Sequence, residues 1–142
     1  MFIGEFHHTL DEKGRLAVPI KFRNDLVQGA VVTRGLDRSL FVYPKAAWEK
    51  LAAKLAALPL GQADTRAFAR LMLAGAMDVE VDKSGRITIP EYLRQYADLK
   101  KDVVVTGLYD RLEVWGEQAW REYSAKTEAA GNDIAERLGS AI

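Results

Sequence analysis

The stretch DEKGRLAVP at residues 11–19 returns as DKSGRITIP at residues 82–90, and this internal repeat constrains the fold more than any other feature of the sequence. A shift of 71 residues superposes the aspartate, glycine, arginine and proline of the two stretches. A slightly larger shift then aligns GLDRSLFVYPKAAW with GLYDRLEVWGEQAW. A chain that contains two copies of one unit is expected to fold as two related halves that complete each other.

Each copy predicts the same order of elements. Residues of similar character alternate at Phe6, His8 and Leu10 and at residues 77–81, and apolar residues alternate again at 16–18 and 87–89, which indicates two strands joined by the repeated loop as a local hairpin. Pro19 and Pro90 then lack an N–H and have a fixed φ, which suits the first turn of a short helix. Two further strands, AVVTRG and SLFVYP in the first copy, complete a β-β-α-β-β unit.

One such unit would leave a sheet face and both sheet edges open to solvent. We therefore predict an α+β fold with a mainly β core, in which the two copies form one compact barrel with pseudo-twofold symmetry. The first half, residues 1–76, includes a helical hairpin with its turn at Pro59 and Gly61. The second half, residues 77–142, ends in amphipathic helices, and the two halves form one intertwined globular unit.

The repeated loop has the chemistry of a recognition element. Asp11 can accept hydrogen bonds from N–H groups two residues later, and Gly14 supplies a positive φ. Arg15 and Arg86 each follow an aspartate by four residues, so each guanidinium can pair with that carboxylate. A single pair of this kind is a surface ion pair that stabilises the fold by about 0–1 kcal/mol. Both copies keep the arginine and its distance from the aspartate. This favours a second role, in which the carboxylate holds the guanidinium in place to bind a phosphate or the O6/N7 edge of guanine in duplex DNA.

Composition excludes several other functions. The chain has 20 basic and 20 acidic residues, no cysteine and two histidines, and its glycines are scattered singly. His7 and His8 are adjacent on a predicted strand, so they point to opposite faces and cannot hold one metal ion together. We therefore expect no enzyme activity, cofactor, metal or small-molecule substrate. The absence of cysteine, of a secretion signal and of a long apolar run predicts a cytoplasmic protein that does not enter a membrane.

The charge distribution and the expected affinity point to an assembly. Residues 1–70 have a net charge of +4 and residues 71–142 a net charge of −4. A bidentate base contact discriminates by about 1–3 kcal/mol, whereas specific DNA sites are bound at about 10⁻⁸ M or tighter. Two loops cannot reach that affinity alone. Several protomers that engage repeated sites would supply the rest, so we expect a homo-oligomer.

The chain resembles, over its whole length, the MraZ family of bacterial regulators within the SpoVT-AbrB group of looped-hinge transcription factors. The resemblance rests on MFIGEFHHTLDEKGRLAVPIKFR, on DKSGRITIPEYLR, on GLD and GLYDRLEVW, and on the helical pair between the copies. It implies a tandem double-split β-barrel with swapped hairpins and ring-like homo-oligomers. It also implies binding to short G-rich direct repeats in the promoter of the chain's own cell-division and cell-wall operon, and hence association with the nucleoid.

The same resemblance implies DNA contacts at Asp11, Arg15, Asp82 and Arg86. Charge and position add Lys13, Lys83 and Arg23 to this DNA-binding set. The first loop reads DEKGR and the second DKSGR, so the two can contribute unequally.

A protein-interaction module remains the alternative. An antitoxin-like protein can use the same barrel and bind another protein through a C-terminal tail. Residues 116–142 are slightly acidic, yet their apolar residues fall at helical spacings, which favours a folded helix over a disordered tail.

Overall fold

The computed structural model describes residues 1–141, which contain eight strands and five α-helices. The strands are β1 Phe2–Thr9, β2 Arg15–Ala17, β3 Ala30–Arg34, β4 Leu40–Pro44, β5 Met77–Val79, β6 Arg86–Thr88, β7 Asp102–Tyr109 and β8 Leu112–Gly116. The helices are α1 Lys45–Ala56, α2 Ala63–Ala69, α3 Glu91–Tyr96, α4 Glu117–Ala129 and α5 Gly131–Leu138. The 3₁₀ turns are Ile20–Phe22, Asn24–Leu26 and Gly139–Ala141, and a π-helical turn, Arg70–Ala74, continues α2. The predicted α+β class with a mainly β core is confirmed.

Strand order displays the duplication directly. Six strands form one antiparallel sheet in the order β1-β7-β8-β4-β3-β5, and β2 pairs with β6 in a separate antiparallel ladder. The counterparts in the two halves are β1 and β5, β2 and β6, β3 and β7, and β4 and β8. If every strand is replaced by its counterpart, the sheet has the same order read from its opposite edge. The pseudo-twofold axis therefore passes between β4 and β8 and between β2 and β6. The division into residues 1–76 and 77–142 itself stays a prediction.

The predicted local hairpin of β1 with β2 is wrong. β1 pairs along its length with β7, from Phe2 opposite Tyr109 to Thr9 opposite Asp102, and β5 pairs with β3. A single bridge, Leu10 to Leu16, joins the two arms of the first loop. The reason is length: β2 spans three residues, whereas β7 offers β1 a partner of eight residues. The exchange of strands between halves that the family resemblance implied is what the structure contains.

Side chains alternate between the two faces of each strand, and the apolar core lies between the large sheet and the small ladder. The inward side chains of β2 and β6 and of the residues that follow them are fully buried: Leu16, Val18, Ile87 and Ile89. Full burial of such a side chain stabilises the fold by about 1.5–3 kcal/mol. Pro19 and Pro90 mark the next elements as predicted, but the first copy forms two 3₁₀ turns where the second forms α3.

Two helices, α1 and α2, lie between the copies, and their packing as a hairpin stays a prediction. β4, α1 and the π-helical turn together form a second cluster of buried residues, made of Phe41, Tyr43, Leu55 and Met72. The Thr33 hydroxyl donates a hydrogen bond of 2.6 Å to the Met72 carbonyl and ties the π-helical turn to β3. At the other end, α4 packs two aromatic rings against Trp115, whereas no residue of α5 is buried within the described part of the chain.

Candidate nucleic-acid interface

The two repeated loops lie at opposite ends of one short ladder. In the β2–β6 register, Leu16 faces Ile87, while Arg15 faces Thr88 and Arg86 faces Ala17. The ladder continues into the loops, because the N–H of Val18 donates to the Gly85 carbonyl over 2.9 Å. Side chains alternate along a strand, and the leucine–isoleucine pair points into the core. Both arginines therefore project from the same outer face, so the structure brings the two motifs into one site.

The first loop is an Asx turn closed by its aspartate. Asp11 Oδ1 accepts hydrogen bonds of 2.9 Å from the backbone N–H groups of Lys13 and Arg15. Its Oδ2 accepts a hydrogen bond of 2.5 Å from Arg15 Nε. Gly14 takes a φ of 79°, a region that disfavours residues with a Cβ. One carboxylate thus fixes both the bend and the arginine that follows it.

The second loop repeats this geometry with a different sequence. Asp82 Oδ1 accepts hydrogen bonds of 2.9 Å from the N–H groups of Ser84 and Arg86, and Oδ2 accepts one of 3.1 Å from Arg86 Nε. Gly85 has a φ of 80°. The conformation therefore depends on aspartate, glycine and arginine, and the two residues between aspartate and glycine are free to differ.

Both arginines are held firmly and are still accessible. The side chains of Arg15 and Arg86 are each 33% exposed. In each, Nε is engaged by the carboxylate of its own loop, so the outer edge of the guanidinium is presented from a fixed position. Surface ion pairs of this kind add little stability. Their consequence here is orientation, because a guanidinium that is already ordered loses less entropy when it binds a ligand.

Hydrogen bonds keep the two carboxylates ionised. The backbone N–H of Arg15 is the largest influence that lowers the pKa of Asp11 below its ordinary value, and the Arg15 side chain and the Lys13 N–H act in the same direction. The pKa of Asp82 is lowered mainly by the backbone N–H of Arg86. A charged carboxylate is the form that accepts all of these hydrogen bonds, so each brace is intact at neutral pH.

Two further arginines brace the loops from behind, and each comes from the opposite half. Arg23 Nε donates a 3.0 Å hydrogen bond to the Val18 carbonyl, and its guanidinium covers Gly85, where a Cβ would lie 2.3 Å from Cζ. Arg94 does the same at the first loop: its Nε donates to the Ile89 carbonyl over 2.9 Å, and its guanidinium covers Gly14.

Sequence reasoning included Arg23 in the predicted site but omitted Arg94. The signal was available, since the 71-residue shift aligns the two arginines. The geometry gives both a positioning role behind the loops, and DNA contact by Arg23 stays a prediction. The remaining predicted residues, Lys13 and Lys83, are exposed at the loop tips.

The histidines lie as the alternation of β1 predicts. His7 is exposed and contacts Glu5, whereas His8 is half-buried on the other face of the strand. Burial, followed by Arg23 and His7, lowers the pKa of His8. Within residues 1–141, no three acidic or histidine side chains are gathered as metal ligands, and no helix has the length and apolar character needed to cross a bilayer.

Together, these observations define a class of molecule: a duplicated α+β protein that displays two aspartate-braced arginine loops on one face. Residues 1–71 and residues 72–140 each match the family described as "MraZ protein, putative antitoxin-like". The chain belongs to the MraZ family.

Curated relatives match over nearly the full length. A protein of Natranaerobius thermophilus named "Transcriptional regulator MraZ" is 49% identical over 138 residues, covering 97% of this chain and 96% of the relative. Proteins of the same name from Leuconostoc mesenteroides and Moorella thermoacetica are 49% and 46% identical, with the same coverage of both chains.

Proposed function

We propose that this protein is a sequence-specific DNA-binding transcriptional regulator. Its membership of the MraZ family and its similarity to proteins named transcriptional regulators support this proposal at the level of a regulator. The observation on which the DNA-binding mechanism rests is the placement of Arg15 and Arg86 on one face of the β2–β6 ladder. The Nε of each donates to a carboxylate, and the terminal nitrogens of the guanidinium remain at the surface for a bidentate contact to guanine or phosphate.

The spacing of the two arginines suits a single groove. They occupy diagonal positions of an antiparallel pair, where Cα atoms are separated by roughly 7–8 Å. The major groove of B-DNA is about 12 Å wide. Both guanidinium groups can therefore enter one groove and contact positions about two base-pair steps apart, at roughly 3.4 Å per step. Lys13 and Lys83 at the tips would then meet the flanking phosphates.

The finer proposal concerns the target and the assembly. We propose that the protein acts as a ring-like homo-oligomer on G-rich repeats in the promoter of its own cell-division and cell-wall operon, in the cytoplasm and associated with the nucleoid. Guanine is the base whose O6/N7 edge a braced arginine matches best. A ring would place many copies of the arginine loops along repeated sites and so concentrate their basic side chains at the DNA, although each protomer has no net charge.

Binding of the purified protein to its own upstream DNA tests the proposal. Fluorescence anisotropy at several salt concentrations, with a scrambled duplex of equal composition as the control, should give tighter binding to the upstream DNA and a clear salt dependence. Light scattering of the same samples should report more than one protomer. A monomer that binds neither duplex would contradict the proposal.

The second candidate is an antitoxin-like interaction module, which the wording of the matched family description favours. In that case α4 and α5 would bind a partner protein and the loops would be scaffold. The same experiment separates the two functions, because the module predicts weak or salt-independent association with DNA.

A further inference from the structure

A groove of about 680 Å³ lies beside the first loop and opens along the same surface as Arg15. One wall is the loop itself, from Leu10 to Arg15, and the other is the connection between α3 and β7. The N–H of Leu10 donates a 2.8 Å hydrogen bond to the carbonyl of Lys101, which is the last residue before β7. The connection is therefore fixed against the residue that immediately precedes Asp11.

Cations dominate the lining of this groove. The basic residues are Lys13, Arg15, Arg94, Lys100 and Lys101. The acidic residues are Asp11 and Glu12, and both oxygens of Asp11 already accept hydrogen bonds within the loop. In the part of the chain that the structure describes, neither Lys100 nor Lys101 forms a salt bridge, and both are exposed.

The pseudo-symmetry of the molecule makes this charge one-sided. The 72-residue shift that superposes Gly35 on Gly107 places Lys100 and Lys101 on Gln28 and Gly29, so the corresponding segment of the first half has no lysine at these two positions. The loops themselves differ in the opposite sense, because DEKGR has no net charge and DKSGR has a net charge of +1. The lysine pair therefore supplies the first loop with positive charge that its own sequence lacks.

We propose that this groove is a binding site for a backbone phosphate of duplex DNA, and that Lys100 and Lys101 are its principal phosphate contacts. The inference rests on the proposed function, since it presumes that Arg15 lies at a DNA groove. Lysine ammonium groups suit this ligand, because an ammonium can hold a phosphate as a point charge without a fixed orientation, whereas the guanine edge requires the fork of an arginine. The site extends the interface on one side of the ladder only.

The double variant Lys100→Gln with Lys101→Gln tests the site in the full-length protein. Each lost phosphate contact lowers the steepness of log K against log salt by about 0.9, so the plot should flatten by about 1–2 between roughly 50 and 200 mM salt. The effect should be equal on the upstream duplex and on a scrambled duplex, because phosphates have no sequence information. The double variant Lys100→Arg with Lys101→Arg should restore the wild-type slope.

The matched control is Lys50→Gln with Lys54→Gln, which removes the same charge from exposed positions on α1. Its slope should equal that of the wild type. Flattening of the same size in this control would overturn the proposal by attributing the effect to net charge. Flattening on the upstream duplex alone would also overturn it, since the lysines would then read bases.

The failure of this inference is distinguishable from the failure of the proposed function. If the lysine variant keeps the wild-type slope while Arg15→Ala still weakens binding, the phosphate site is wrong and the regulator proposal stands. If the wild type binds neither duplex, both are wrong. A thermal unfolding curve of each variant guards against misfolding.

Discussion

Arg86 of the second loop lies 3.9 Å from the carboxylate of Asp11 in the first loop, measured between Nη1 and Oδ2. These residues are 75 positions apart in the chain of 142 residues, and the β2–β6 ladder brings them together. Asp11 is therefore placed between two guanidinium groups, its own Arg15 and the partner from the repeat. The two loops therefore form one surface, so we expect a change in either loop to affect DNA binding by the other.

Removal of either loop arginine should weaken DNA binding strongly. Arg15→Ala and Arg86→Ala each delete a bidentate donor, which corresponds to about 1–3 kcal/mol, or roughly 5- to 150-fold in Kd. Arg15→Lys should recover only part of the loss, because an ammonium cannot make the forked contact. The control is Arg121→Ala, which removes an exposed arginine that pairs with Glu117 on α4. Equal weakening by Arg121→Ala in anisotropy titrations would contradict the assignment.

Acid should weaken the loops through their aspartates. The pKa of Asp11 and that of Asp82 are both lowered from 3.8 in the folded protein. Their contribution to stability is therefore fully present above the unfolded-state pKa, about pH 4, and is lost as the pH falls through the lower folded-state pKa. Asparagine keeps one acceptor oxygen but does not titrate. The double variant Asp11→Asn with Asp82→Asn should show a flatter decline of the urea midpoint below about pH 4. A decline as steep as that of the wild type would assign the acid sensitivity to other carboxylates.

Substitution of either loop glycine by alanine should destabilise the fold, and part of the cost should come from contact with the arginine behind the loop. Gly85→Ala places a Cβ at positive φ, at a cost of about 1–2 kcal/mol, and forces it against the guanidinium of Arg23. That guanidinium is the end of a flexible side chain. The part of the destabilisation by Gly85→Ala that comes from this contact should therefore largely disappear in an Arg23→Ala background, whereas the cost of the positive φ should remain.

Gly14→Ala should be rescued only in part by Arg94→Ala. Its Cβ would also lie 2.8 Å from the Ile89 carbonyl, and backbone of the ladder cannot move aside as a side chain can. Two double-mutant cycles, measured by denaturant unfolding, compare the coupling energies. Complete rescue of Gly14→Ala by Arg94→Ala would contradict this account of the first loop.

Neither half should fold as a stable monomer alone. β1 has its ladder with β7, β5 has its ladder with β3, and β2 has its ladder with β6, so every half loses the partners of its first two strands. Residues 1–76 expressed alone should give dispersion-poor NMR spectra or a dimer that imitates the second half. Mixing residues 1–76 with residues 77–142 should restore the native spectrum. A well-folded monomer of either half would contradict the intertwined arrangement.

Much of the site could be predicted because it is local. The aspartate, the glycine and the arginine of each loop act within five consecutive residues, and the hydrogen bonds from Lys13 and Ser84 to the aspartates follow from turn chemistry alone. The inward positions of β2 and β6 follow from alternation for the same reason. The positioning role of Arg94 could not be read in this way, because it acts on a glycine that belongs to the other half of the chain.

Sequence alone determined that there are two equivalent units, that each contains a carboxylate-braced arginine loop, and that short strands surround it, since these properties depend on neighbours a few residues apart. Only the tertiary structure decided that β1 joins β7 and leaves its adjacent strand to β6. Backbone hydrogen-bonding groups are alike in every strand, so local sequence does not select the partner. The strands adopt the pairing that satisfies the largest number of backbone hydrogen-bonding groups and also buries the apolar face of each strand. This pairing places Arg15 and Arg86 side by side.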